Sequence, residues 1–210
     1  MSSRSLIVMP DDTGKPLVDA IDGARESIRI KMFLFSDPSL LAAVIAAHQR
    51  GVKVRVMLNP ARREGEPENE ATRQALEKAG VDVADTNPAI DLTHEKSMVI
   101  DDEAAFIQSL NWETKNLTVT RDYAMVTSHR HEVDEVSACF DADWERKEFD
   151  PGPDSHLIWC NINGRNRVAH FIDQATASLF LQNERYQDEV IIERLVRAAA
   201  RGVKIHILAR

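Results

Sequence analysis

The sequence repeats itself at an offset of 151 residues, and this internal duplication limits the folds available to the chain. Without a gap, the alignment pairs Ile21-Asp22 with Ile172-Asp173, Asp37 with Asp188, and Arg50-Gly51-Val52-Lys53 with Arg201-Gly202-Val203-Lys204. Substitutions between the copies, such as Val54 to Ile205, keep the apolar pattern. Both copies are therefore predicted to form the same supersecondary unit.

Strands and helices alternate in that unit. Ile28 to Phe35 is a continuous apolar-rich run of strand length, and Asp37 with Pro38 is typical of a helix start. Gly51 is predicted to end this helix, and Val52, Val54 and Val56 alternate with charged residues in the next strand. Alternation of this kind predicts an α/β fold, with a mixed, mostly parallel sheet flanked by helices on both faces.

The segment Asp150-Pro151-Gly152-Pro153-Asp154 is the best candidate for a domain boundary. We expect residues 1–150 to form one complete domain, and residues 151–210 to form the opening βαβ unit of a second, incomplete copy. On this expectation the chain is either a fragment of a longer two-repeat protein or completes its second copy with another chain. The fragment is the favoured alternative.

A polar hairpin is predicted between Thr93 and Trp112. His94 and Lys96 are two residues apart, as are Ser109 and Asn111, so each pair should share one face of an extended segment. Met98-Val99-Ile100 is predicted to be a buried strand, and Asp101-Asp102-Glu103 the turn after it. The four side chains supply an imidazole, a cation and two neutral hydrogen-bonding groups, a set that suits attack on a phosphodiester. The alternative is a chance polar hairpin.

The spacing His94-x-Lys96-x4-Asp101-x6-Gln108-Ser109-x-Asn111 resembles the HxK(x)4D(x)6GSxN signature of the phospholipase D superfamily. Gln108 is the one departure, because the family usually has glycine there. The resemblance implies a phosphodiesterase or phosphatidyltransferase in which His94 attacks phosphorus and forms a phosphohistidine. Lys96, Ser109 and Asn111 would stabilise the charge of the transition state.

The resemblance also assigns two carboxylates. Asp122 falls where the family usually carries an acid that orients the histidine, whereas Asp101 is expected to cap the turn. Glu95 should alternate away from the reacting face. The family site needs two motifs that face each other, so the second should come from the rest of the second repeat or from a second copy of the chain in a homodimer. No metal and no cofactor are expected, since the site lacks a cluster of metal-ligand spacing.

Bulk properties narrow the setting. No apolar run has the length of a membrane span or a secretory signal, and two isolated cysteines favour a reduced, cytoplasmic compartment. A net charge of −8 disfavours an extended nucleic-acid surface. The favoured substrate is therefore a phospholipid, as in the bacterial cardiolipin synthase-like branch, which implies peripheral contact with the inner membrane. One alternative is a dimeric phosphodiester nuclease. The other is a degenerate, non-catalytic phosphate-binding scaffold, and Gln108 is the only residue that suggests it.

Overall fold

The computed structural model of the chain describes residues 3–60 and 68–209. They form two compact units, the first ending at Ser155 and the second beginning at His156. The charged segment from Pro60 to Glu70, which contains glycine and proline, is predicted to be a loop, and most of it lies outside the described residues. In the described part of the chain, no helix is long and apolar enough to cross a membrane.

The first unit contains seven strands and five helices among its described residues. The strands are β1 Arg4–Met9, β2 Ser27–Met32, β3 Lys53–Leu58, β4 Asp82–Asp85, β5 Ser97–Ile100, β6 Ala104–Gln108 and β7 Asp122–Thr127. The helices are α1 Lys15–Gly23, α2 Pro38–Gln49, α3 Glu70–Lys78, α4 Thr114–Thr118 and α5 Arg130–Trp144.

The seven strands form one sheet in the order β1-β7-β6-β5-β2-β3-β4. The predicted mixed α/β class is confirmed. Parallel pairing is limited to β2-β3 and β3-β4, and the other four neighbouring pairs are antiparallel. The expectation of a mostly parallel sheet is thus wrong for the pairing. The tight β5-β6 turn permits only an antiparallel pair, and β2-β5, β6-β7 and β1-β7 are also antiparallel.

The two faces of the sheet differ in chemistry. One face carries the main apolar core, in which Ile28 and Ile30 of β2 pack with Leu17 of α1 and Val44 of α2. The opposite face packs against α5 and carries cations. There Arg29 pairs with Asp141 of α5, and Lys31 pairs with Asp143. Helices therefore flank both faces, as predicted.

Local signals explain how α2 and the hairpin begin and end. The carboxylate of Asp37 accepts hydrogen bonds from the Ser39 and Leu40 amides at 3.0 Å and caps α2, as predicted. The helix is followed by Gly51, whose φ of 92° favours glycine. The β5-β6 turn consists of the three residues between the paired Ile100 and Ala104, and it places Asp101 and Asp102 in the left-handed region at a φ of 52°.

From α6 onwards, the second unit reproduces the elements α1 to β3 of the first copy at the expected offset. It contains a short π-helical turn at Cys160–Gly164, α6 Arg165–Asp173, β8 Ser178–Gln182, α7 Glu189–Ala200 and β9 Lys204–Leu208. Strands β8 and β9 pair in parallel, as β2 and β3 do. A small apolar core forms around Ile172, Leu195 and Ala198.

Candidate active site

The candidate site lies where several strands begin or end at one edge of the large sheet. Register pairs Lys31 near the end of β2 with Ser97 at the start of β5. Gln108 at the end of β6 pairs with Ala124 near the start of β7. This arrangement brings to the same edge the residues just outside these strand ends, His94 to Lys96 and Ser109 to Asn111, together with Asp122, the first residue of β7.

His94 and Lys96 both contact Phe33, the residue that follows β2. The imidazole of His94 lies with its ring centroid 4.6 Å from that of Phe33, at an interplanar angle of 59°. The Lys96 ammonium lies 5.1 Å from the Phe33 ring centroid, within the range of a cation–π contact. The two predicted reacting groups thus lie against one aromatic ring, with His94 exposed and Lys96 buried.

Burial changes the acidity of Lys96. Removal of the ammonium from water lowers the pKa of Lys96 to about 8, although the negative charges of Asp122 and Glu95 raise it in part. The Lys96 ammonium donates a hydrogen bond to the His94 carbonyl oxygen at 2.6 Å. A lysine with such a pKa is a cation at neutral pH and becomes neutral under mildly alkaline conditions.

Ser109 and Asp122 are joined directly. The Ser109 hydroxyl donates to Asp122 Oδ1 at 2.8 Å and accepts from the Tyr123 amide at 2.9 Å. Asp122 Oδ2 accepts from the Thr120 hydroxyl at 2.6 Å and from Asn116 Nδ2 at 3.2 Å. Asp122 is thus a held carboxylate whose charge reaches Lys96. Its orienting role towards His94 stays a prediction.

Asn111 and Gln108 each have one polar atom without a hydrogen-bond partner among the described residues. Asn111 Nδ2 donates to Glu113 at 3.3 Å, and its Oδ1 is buried and unpaired. Gln108 Oε1 accepts from the indole Nε1 of Trp112 at 3.0 Å, while its Nε2 is buried and unpaired. Because an indole can only donate, this bond fixes the orientation of the Gln108 amide.

Asp101 is not brought to the other motif residues, because it lies at the opposite end of β5. Its carboxylate accepts from the backbone amides of Arg25, Glu26 and Ser27 at 2.8–2.9 Å. Burial opposes ionisation, but the three amides lower the pKa of Asp101 below its ordinary value. Asp101 therefore joins the hairpin turn to the start of β2.

Sequence reasoning missed three contributors to the site: Phe33, Thr120 and Asn116. Phe33 could be detected only as the apolar residue that follows β2, a position that predicts core and not a contact with His94. Asn116 lies in α4 and Thr120 lies two residues after it. This helix has only five residues, so apolar periodicity does not reveal it. Short polar segments carry no apolar pattern, so their contacts depend on the folded chain.

One group of metal-ligand type occurs in the described part of the first unit, on the face opposite to His94. Glu95, Cys139 and Asp143 bring their ligand atoms within 4.8 Å of one another. The ammonium of Lys31 lies among them, 2.9 Å from Glu95 and 2.6 Å from Asp143. A lysine cation therefore balances these acids.

Comparison with known proteins defines the class. Residues 17–144 match the family described as Cardiolipin synthase, PLD-like domain. The chain belongs to this phospholipase D-like family, as the sequence motif predicted.

Individual relatives agree with this assignment. The mitochondrial cardiolipin hydrolase of Mus musculus is 32% identical over 135 residues, which cover 64% of this chain and 58% of that protein. The crystal structure of Nuc, a phospholipase D family member from Salmonella typhimurium, superposes with a TM-score of 0.61 at 21% identity, covering 70% of this chain and 96% of that one. Polyphosphate kinase from Porphyromonas gingivalis gives a TM-score of 0.76 at 21% identity, covering 99% and 38%.

The chain spans between half and three fifths of the length of the cardiolipin hydrolases that it matches. The two superpositions establish the shared fold. Together, the family match and the relatives show a phosphodiesterase-like domain of the phospholipase D superfamily that is homologous to enzymes.

Proposed function

We propose that this chain is a phosphodiesterase or phosphatidyltransferase that acts on phospholipid through a phosphohistidine intermediate on His94. The observation that carries the proposal is the placement of an exposed imidazole and a buried ammonium against Phe33, beside the Ser109–Asp122 pair. This arrangement combines a nucleophile with a fixed positive charge. A phosphodiester requires both, because its own negative charge repels nucleophiles.

The reaction proceeds in two displacements. A ring nitrogen of His94 forms a bond to phosphorus as the bond from phosphorus to the leaving oxygen breaks, and that oxygen takes up a proton from a general acid. Water or an alcohol then attacks phosphorus and gives its proton to the same group, which now acts as a general base, while the bond from phosphorus to His94 breaks. Water gives hydrolysis and an alcohol gives transfer, so one site supports both outcomes.

Lys96, Ser109 and Asn111 lower the barrier by stabilising charge on the non-bridging oxygens. Removal of one such preorganised donor typically costs about 2.7–4 kcal/mol of barrier. The general acid is expected from a second motif. A second copy of the chain would supply it, so activity should depend on assembly.

Phospholipid is the favoured substrate because the family match and the cardiolipin hydrolases both point to it. Inorganic polyphosphate is the second candidate. Similarity to the polyphosphate kinase of Vibrio cholerae runs over 200 residues and 88% of this chain, well beyond the segment shared with the cardiolipin hydrolases. Nucleic acid is a third substrate to test, and the net charge of −8 argues against it.

A substrate panel tests the proposal. The full chain is assayed with cardiolipin vesicles, single-stranded DNA, inorganic polyphosphate and bis(p-nitrophenyl) phosphate, with and without EDTA. We expect turnover of cardiolipin and of the generic diester, unaffected by EDTA. Turnover of DNA or polyphosphate alone would contradict the lipid assignment. Loss of activity in EDTA that a divalent ion restores would contradict the metal-free chemistry.

A further inference from the structure

Lys31 is a fully buried cation on the face of the sheet opposite to the candidate site. Its side chain has 0% exposure, and its Nζ lies 2.6 Å from Asp143 of α5, 2.9 Å from Glu95 and 3.4 Å from the Cys139 sulfur. Burial alone lowers the pKa of Lys31, but Glu95 and Asp143 raise it above its ordinary value. Lys31 is therefore a paired, permanently charged group.

Glu95 connects this cation to the site. It lies between His94 and Lys96, and its side chain alternates to the α5 face of the sheet. One carboxylate oxygen accepts from Lys31, and the other accepts from the Ser97 hydroxyl at 2.6 Å. Both oxygens of Glu95 are thus engaged.

The segment that carries His94 and Lys96 lies just before strand β5. Strand β5 begins at Ser97, so His94 to Lys96 precede the regular ladder. One backbone hydrogen bond, from the Gln108 amide to the Lys96 carbonyl oxygen at 2.9 Å, extends the pairing by one residue. The ion pair between Glu95 and Lys31 therefore links this segment to β2, and the ion pair between Lys31 and Asp143 links it further to α5.

We propose that Lys31 and Glu95 are positioning residues, whose ion pair holds the His94–Lys96 segment from the opposite face of the sheet. The consequence for turnover rests on the proposed function of His94. The pair acts through the backbone and through charge, since neither residue is placed against the substrate. The charged groups around Lys96 include Asp122 on β7 as well as Glu95, and both favour its cationic form.

Arg29 provides a matched control. It lies two residues before Lys31 on the same face of β2 and also pairs with α5, through Asp141 at 3.3 Å. Its second partner is Asp102, at 2.7 Å in the hairpin turn far from His94. Lys31→Met and Arg29→Met therefore each remove a cation from the interface between β2 and α5, but only Lys31 is connected to the candidate site. If these cations only stabilise the interface, the two variants should have the same effect on kcat.

The experiment compares Lys31→Met, Arg29→Met, Glu95→Ala and Glu95→Gln in the full chain, with bis(p-nitrophenyl) phosphate as the probe. Because a small misplacement of reacting groups can cost about 10²-fold in rate, we expect Lys31→Met and Glu95→Ala to lower kcat by about that factor with little change in KM. Arg29→Met should keep the wild-type kcat. Compared with Glu95→Ala, Glu95→Gln should restore most of kcat, because its amide oxygen can accept from Lys31 while its amide nitrogen donates to the Ser97 hydroxyl. It should also move the alkaline limb of the pH profile to lower pH, because it removes a negative charge beside Lys96. Equal kcat losses in Lys31→Met and Arg29→Met, or an unchanged kcat in Glu95→Ala, would overturn the proposal.

Amide hydrogen exchange tests the pair without turnover, and the Glu95 variants serve if Lys31→Met does not fold. Exchange at residues 94–97 should accelerate in Glu95→Ala and in Lys31→Met but not in Arg29→Met. Unchanged exchange at these amides would overturn the positioning role even if the wild-type chain is active. An inactive wild-type chain with accelerated exchange in Glu95→Ala would contradict the proposed function and support the pair.

Discussion

The two copies of the βαβ unit share their frame down to single hydrogen bonds. Asp37 and Asp188 each cap a helix by accepting from the amides two and three residues ahead. Arg50, which follows α2, donates to two backbone carbonyl oxygens at the end of α1. Arg201, which follows α7, does the same at the end of α6. The apolar pattern and the caps therefore suffice to specify the frame twice.

The copies differ at positions in and around the candidate site. On the sheet face that α5 covers in the first unit, Lys31 is replaced by Gln182 and Arg29 by Phe180, which is 78% exposed in the second unit. Phe33, which contacts His94 and Lys96, corresponds to Glu184. The shared backbone arrangement is thus independent of the candidate site, whose side chains are found in the first copy and not at the equivalent positions of the second.

The largest expected effect comes from removing His94, the proposed nucleophile, which is present in the first copy alone among the two compared units. His94→Asn should reduce turnover by roughly 10⁴–10⁶-fold, since loss of a covalent nucleophile has effects of that order. Thermal unfolding should be unchanged, because His94 is exposed. Steady-state kinetics with bis(p-nitrophenyl) phosphate measure the loss. His170→Ala, an exposed histidine change in the second unit, is the control and should keep full activity.

The second test uses pH. Lys96 must be a cation to stabilise the transition state, and burial lowers its pKa to about 8. Activity should therefore fall as the pH rises through about 8, where an exposed lysine would still be charged. A profile of kcat between pH 6 and 10 measures this decrease. Lys96→Met should lower kcat by about 10²–10³-fold, and the remaining activity should no longer decrease near pH 8. A flat profile up to pH 10 would show that the charge of Lys96 is not used.

The third test separates stability from chemistry through the two caps. Asp37 is buried and also accepts from the Thr114 hydroxyl, so Asp37→Ala should lower the free energy of unfolding by about 2 kcal/mol. Asp188→Ala, the matched change in the second copy, should cost less, because Asp188 is more exposed. Urea denaturation of both variants provides the comparison. A larger effect at Asp188 would contradict it.

The smallest expected effect concerns Gln108, where the family usually has glycine. Gln108→Gly leaves the buried Trp112 indole without its acceptor, which should cost about 1–3 kcal/mol of stability. The kcat should stay within about tenfold, equivalent to about 1.4 kcal/mol of barrier. Trp112→Phe is the control for the lost bond. A kcat increase beyond tenfold would show instead that glutamine narrows the site.

Most of the frame could be predicted from the sequence because it follows local rules. The start of α2 at Asp37-Pro38 and the turn at Asp101-Asp102 depend on capping and on turn chemistry that short segments encode. Strand β1, Arg4–Met9, was not predicted, because a brief apolar stretch becomes a strand only by pairing with β7. Parallel pairing was overpredicted, because alternating strands and helices do not reveal how β5, β6 and β7 join the sheet.

The sequence motif identifies the candidate site residues, but it does not identify the residues that contact and support them. Motif spacing pointed to His94 and Lys96 but not to Phe33, which sequence places in the core. Lys31 carried a signal, since a lysine inside an apolar strand needs a buried partner. The identity of that partner depends on how β2, Glu95 and α5 meet, and no local pattern encodes that contact.

The most direct test of the central claim is to trap the covalent intermediate. The chain is mixed with bis(p-nitrophenyl) phosphate, quenched at alkaline pH because phosphohistidine is acid-labile, digested and analysed by mass spectrometry. The account predicts a p-nitrophenylphosphoryl group on the peptide that contains His94, and its absence in His94→Asn. Turnover with an adduct on a different residue, or an adduct that persists in His94→Asn, would contradict the account.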